Sequence, residues 1–357
     1  MRAPSFLALA VSLSLVESLV ISCASSPNAT SFHTSSTAAV PKVAPPKDVV
    51  ESVEPWTFHG AEGTIIRTPH YRIYTTEHNP IFIDRLPGFL EASLTHYRIA
   101  ITPLPPPRLR LDTFLMDTRP QWVLVARQLL GADGDQLTQI QRGGFATRGI
   151  GVFYDIGVFD TLAVAAHEGW HQYTQRAFND RLPVWLEEGL ATYMEGHKWD
   201  GAEPIFLPWA NIERFDQLRK AAAAGDLLSL ADLLATSPHD IPPTAGDSLV
   251  TYYAQIWALV HFLDAGANRR YQPALRAIVS DAARGQLRRT LLVKLGSKVG
   301  AKTITTGRGP GALQAYIVDL NLDELSFQYD QFIVELVAPG SRDRIVAGRS
   351  PISSPAR

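Results

Sequence analysis

Between Gly63 and Thr75 polar residues alternate with Ile and Tyr, a period of two that predicts a strand. Ile83 to Ala100 has its apolar residues at helical spacing and predicts an amphipathic helix with Pro87 in its first turn. A Pro-rich turn, Pro103 to Pro107, leads into a second alternating strand, Arg108 to Met116. Pro120 to Leu130 is helical by pattern, and Gly149 to Tyr154 is a short strand bounded by glycine. Two further helices are predicted over Asp160 to Phe178 and Pro183 to Gly196, and the sequence from there to about Leu336 is mainly helical. Strands first and helices later predict an α+β fold with a small mixed sheet and a mainly helical C-terminal lobe.

The two ends are different in kind. Arg2 precedes an apolar run, residues 6–22, and then Cys23, the only cysteine in the 357 residues. A basic start, an apolar stretch and a small residue before the cut describe a secretory signal over residues 1–22. Val20-Ile21-Ser22-Cys23 resembles the bacterial lipobox, in which the cysteine carries the lipid, and this accounts for a lone thiol in an exported protein. The expected location is therefore the bacterial envelope, with the protein held through Cys23 at the outer membrane, on its periplasmic side or at the cell surface. Ser, Ala, Thr and Pro dominate residues 23–50 and predict a disordered tether, and residues 339–357 predict a disordered tail. Between them lie an α/β region, 51–200, and a helical lobe, 201–338.

Hydrophobic residues make up 46% of the sequence, enough for a sizeable core. A net charge of −2 gives no basic excess, so nucleic acid is not an expected partner.

The chemistry concentrates in His167-Glu168-Gly169-Trp170-His171. Histidines four apart on a helix share one face, one turn apart, and can grip one zinc ion while Glu168 points toward water at the metal. After the short turn at residues 179–182 comes Trp185-Leu186-Glu187-Glu188-Gly189-Leu190-Ala191, on a helix that Pro183 can open. Helices joined so closely run roughly antiparallel, so an acid early in the second can face both histidines. Three protein ligands and a fourth position left for water are the layout of a catalytic zinc site.

This pair of motifs resembles the gluzincins, the zinc peptidases that include thermolysin and aminopeptidase N, and is similar above all to the peptidase-MA-like domains of bacterial envelope proteins. The resemblance in organisation runs from about Ile65 to Phe332, and its specific part from His167 to Glu195. It implies a thermolysin/aminopeptidase-like zincin core with an active-site helix pair. It also implies one Zn2+ per molecule held by His167, His171 and Glu188, with Glu168 as general base for hydrolysis of a peptide or protein substrate. Glu187 falls where the family often has Asn. Tyr253, in Thr251-Tyr252-Tyr253-Ala254-Gln255, matches the family's oxyanion donor, although the following Lys and Gly are Gln255 and Ile256; a packing role for the Tyr pair is the alternative. Gly151, Val152 and Phe153 sit where gluzincins have the edge strand that binds substrate, or else form a core strand. Glu195, seven residues past Glu188, either orients a ligand histidine or is a solvated acid.

Gly296 to Thr303 nearly matches a phosphate-binding loop, but Ala301 replaces the Gly before Lys302, so no nucleotide is expected. No GxSxG elbow is present, and a cysteine in the leader is no nucleophile. The competing reading is a catalytically silent envelope lipoprotein that uses the zincin fold for binding.

Overall fold

A computed structural model describes residues 12–13, 49–134, 143–242, 245 and 247–352. Cys23, the tether up to residue 48 and all of the leader except Ser12 and Leu13 lie outside the described residues.

A seven-stranded mixed sheet forms the first half. Its strands are β1 (Ser12–Leu13), β2 (Ser52–Phe58), β3 (Ala61–Arg67), β4 (Tyr71–Thr75), β5 (Leu111–Met116), β6 (Gly144–Thr147) and β7 (Ile150–Tyr154), in the order β1-β6-β7-β5-β4-β3-β2. β4, β5 and β7 run parallel to their neighbours among these three, and the remaining pairs are antiparallel. The single strand expected over Gly63 to Thr75 is two strands folded back at Thr68-Pro69-His70. There Glu91 takes the Thr68 hydroxyl at 2.6 Å and the His70 amide at 2.8 Å, and Pro69 offers no amide to extend a ladder.

Helix α1 (Pro80–Tyr97) starts at Asn79, whose side chain accepts from the Ile81 amide. Pro80 holds the first position, so Pro87 lies inside the helix and not in its first turn. α1 and α3 (Val158–Ala177) cover one face of the sheet; α2 (Arg119–Leu130) covers the other through Trp122, Val125 and Ala126, against Phe145 and Val152.

Two findings correct the expectations from sequence here. The strand holding Gly151, Val152 and Phe153 is not an edge: β7 is hydrogen-bonded on both sides, to β5 and to β6. It is buried between neighbours because its apolar side chains serve both covering layers; β6 lies outside it, and β1 outside β6. The tail expected to be disordered from residue 339 is ordered as far as 352. Ser341–Val346 forms a helix that buries Ile345, and Arg342 makes a forked pair with Asp216 at 3.0–3.2 Å.

The second half is helical apart from one hairpin, β8 (His197–Asp200) with β9 (Glu203–Phe206), which the helical pattern did not reveal. Its helices are α4 (Val184–Met194), α5 (Ile212–Ala224), α6 (Leu230–Ala235), α7 (Ser248–Ala265), α8 (Gln272–Arg284), α9 (Leu287–Thr306), α10 (Gly311–Tyr316), α11 (Leu322–Leu336) and α12 (Ser341–Val346). α7 is the axis of this half: Tyr252 to Leu263 are buried without a break, so it is enclosed on every side. One contiguous core runs from Ile66 to Ile345 and ties the halves together. The residues that resemble a phosphate-binding loop lie within α9. Among the described residues no helix is long and apolar enough to cross a membrane.

Candidate metal centre

The site is built by α3, α4 and α7. The turn from α3 to α4 is pinned from outside: the Asp180 amide donates to Ala282 and the Val184 amide to Gly307. That fixes where α4 begins, and so where its second turn points. Gly189 then lets α7 close on α4. A β-carbon at this position would meet Val260 Cγ2 at 2.8 Å and the Ile256 carbonyl at 3.0 Å.

His167, His171 and Glu188 converge with their side chains 1–7% exposed. The two Nε2 atoms are 3.3 Å apart, and each lies 3.6 Å from Glu188 Oε2. Tetrahedral zinc with bonds of roughly 2.0–2.1 Å needs ligand atoms about 3.3–3.5 Å apart, and this triangle has that size. Glu188 Oε2 is buried and has no hydrogen-bond partner among the described residues; the two nitrogens are its neighbours. A carboxylate oxygen so placed is costly unless a cation sits among the three atoms, so the residues fit a divalent metal.

Each histidine is aimed from behind by its own acid. His167 Nδ1 lies 2.7 Å from Glu195 Oε1, and His171 Nδ1 lies 3.0 Å from Glu187 Oε1. With Nδ1–H donating to a carboxylate, the Nε2 lone pair is left facing the triangle. The acids are held in turn. Arg214 donates to both oxygens of Glu195 at 2.9 and 3.1 Å, and Asn211 donates to one at 2.7 Å. The Thr174 hydroxyl donates to Glu187 at 2.7 Å.

Burial pushes the Glu188 carboxyl up, but the two imidazoles pull it far below the usual range. Burial likewise pushes His171 down, and the charges of Glu188 and Glu187 more than reverse this, holding it well above its ordinary value. For His167 burial also acts downward and is outweighed by Glu188 and Glu195. Glu195, despite burial, falls to about 2 beside Arg214 and His167. Without a metal the pocket thus favours protonated imidazoles facing carboxylates, and a divalent cation takes the place of those protons.

Glu168 is fully buried on α3, beside β6: a β-carbon on Gly144 would lie 3.1 Å from Glu168 Cγ. β6 is therefore the strand that passes the site, and its outer side pairs with Ser12–Leu13. Tyr253 on α7 has its ring centroid 5.9 Å from that of His167, with the Arg214 guanidinium 5.3 Å from its own. Burial, then the charge of Glu188, pushes its phenol well up, so it stays a donor at neutral pH. His197 is outside the ligand set; its Nδ1 bonds the Glu195 carbonyl at 2.8 Å.

Of the residues singled out in the sequence, the structure brings His167, His171 and Glu188 together and sets Glu195 and Tyr253 beside His167. Sequence reasoning missed the roles of Glu187, Asn211, Arg214 and the strand β6. Glu187 left a signal, a second carboxylate beside Glu188 in a mostly apolar helix; Arg214 left none, because it stands on a separate helix.

No curated protein and no solved structure matches the sequence. Residues 161–284, from α3 to the end of α8, match the family model described as protein of unknown function (DUF1570), and that domain encloses the buried triad able to hold a metal.

Proposed function

We propose that this protein is a zinc-dependent peptidase of the gluzincin type, hydrolysing peptide bonds with Glu168 as general base. The observation that carries the reading is the buried His167–His171–Glu188 triangle, in which each histidine is fixed by a separate carboxylate. Zinc bound there would polarise the scissile carbonyl and bring the pKa of water down to roughly 7.

The protein's own residues supply the rest. Glu168 takes a proton from the attacking water as its oxygen bonds to the carbonyl carbon. It returns that proton to the nitrogen as the C–N bond breaks, so the products are a carboxylate and an amine. Tyr253, kept protonated by burial, donates to the oxygen on which negative charge develops. β6 offers main-chain groups to an extended substrate once the leader is removed. We propose further that the protein works at the bacterial envelope, tethered by lipid on Cys23.

The test is purified protein loaded with zinc, assayed on a peptide library, beside Glu168→Gln. The variant should keep its metal and lose about 10²–10⁴-fold in rate. Cleavage at an unchanged rate in Glu168→Gln would falsify the mechanism.

A further inference from the structure

A cleft of about 540 Å³ opens beside the triangle, and Glu187 and Glu188 line it. Its acids are all engaged. Glu188 faces the metal position, Glu187 holds His171 and Thr174, and Asp180 accepts from the Arg288 amide at 3.0 Å. Of the three arginines in the lining, Arg308 is neutralised by Asp240 at 2.7 Å. Arg148 and Arg181 are exposed and make no ion pair among the described residues. The cleft wall therefore presents two guanidiniums that have no ion-pair partner among the described residues.

Arg148 is also held in a costly backbone conformation. Thr147 pairs with Ile150, which leaves Arg148-Gly149 as a two-residue hairpin loop with φ of 51° and 73°. Such loops match the twist of the strands and favour Asn, Asp or Gly at the first position, where a longer side chain is strained. An arginine at that position, on the rim of a cleft, points to work done by the side chain. β6 leads directly to it. Gly144 lies against Glu168 and Arg148 follows four residues on, a span of roughly 14 Å at strand rise.

We infer that Arg148 and Arg181 bind a carboxylate of the substrate, so that this site takes acidic peptides with the acid about three or four residues from the cleaved bond. The inference rests on the proposed peptidase reading for the path along β6. Guanidinium forks suit carboxylates, and the carboxylate can come from an Asp or Glu side group or from the free C-terminus of the peptide.

Binding to zinc-loaded Glu168→Gln protein tests this apart from turnover. Labelled peptides of one length are titrated by fluorescence anisotropy at low salt. One carries internal Glu and an amidated end, one carries Gln with a free carboxylate end, and one carries Gln with an amidated end. At least one of the two carboxylate peptides should bind about 10-fold tighter than the neutral one, and which of them does so identifies the source. Arg148→Glu with Arg181→Glu should abolish or invert that order. Arg148→Asn should weaken acidic-peptide binding while raising the melting temperature, because the strain is relieved. Equal binding of all three peptides, no binding of any, or an order unchanged by the charge reversal overturns the inference. Whether the wild-type protein cleaves these peptides bears on the hydrolysis itself and is read separately.

Discussion

Glu195 Oε1 and His167 Nδ1 are 2.7 Å apart, although the two residues are 28 positions apart in sequence and belong to different helices. The contact exists because Glu195 is the C-cap of α4, where Arg214 and Asn211 from the start of α5 close on its carboxylate. A buried anion held by four hydrogen bonds has little freedom, and so neither has the imidazole it orients.

Glu195→Gln should therefore weaken zinc binding by about 10–100-fold without removing a ligand. Glu187→Gln should do the same through His171, and Glu188→Gln should cost more because an anionic ligand is lost. Competition against a chelator of known affinity measures all three. Affinity for zinc that is unchanged in both Glu195→Gln and Glu187→Gln would rule out the orienting role.

Metal affinity should fall as pH falls. His171 and His167 are raised above their ordinary value in the metal-free site, so protons occupy the nitrogens the metal needs, and binding must release them. Calorimetric titrations in buffers of different ionisation enthalpy should show proton release growing as pH is lowered from 8 toward 6. An affinity flat across that range counts against the ligand set.

Gly189→Ala should destabilise the fold by about 1–3 kcal/mol, since the new methyl meets Val260 and the Ile256 carbonyl where α4 and α7 touch. Urea unfolding of the metal-free protein reads this directly. A neutral result would mean that the two helices can separate at little cost.

His96 and His261 are buried, and burial lowers them to about 4 and about 3. An unfolded polypeptide takes up these protons near pH 6.5, while the folded protein holds them off to much lower pH. Their contribution is thus complete above about 6.5 and is lost as pH falls toward 4, by about 1.4 kcal/mol per pH unit for each group. His96 Nε2 has no hydrogen-bond partner among the described residues and its ring stacks on Phe206, so His96→Phe removes one such group with little loss of bonding. Relative to wild type, that variant should gain stability steadily between pH 6.5 and 4.5. Parallel pH profiles for the two proteins would show that His96 is not buried as a neutral imidazole.

Much of the centre was legible because its geometry is local. Residues four apart on a helix must share a face, and a four-residue turn must bring the next helix back alongside, so His167 and His171 could be grouped by spacing with an acid early in the next helix, and the family resemblance singled out Glu188. The alternation and helical periods likewise revealed the α+β class and most of the elements. Other features depended on partners distant in sequence. Nothing in the pattern of β7 tells whether its second side is paired, and it was β6, four small or apolar residues with no turn signal of their own, that paired with it there. The acids behind the histidines, the arginine that fixes one of them and the helix that anchors Arg342 on Asp216 arise from contacts across 13 to 126 residues. Sequence periodicity reports which face of an element is buried; which residues meet across that face is decided by packing, because the free energy of each contact exists only once both partners are in place.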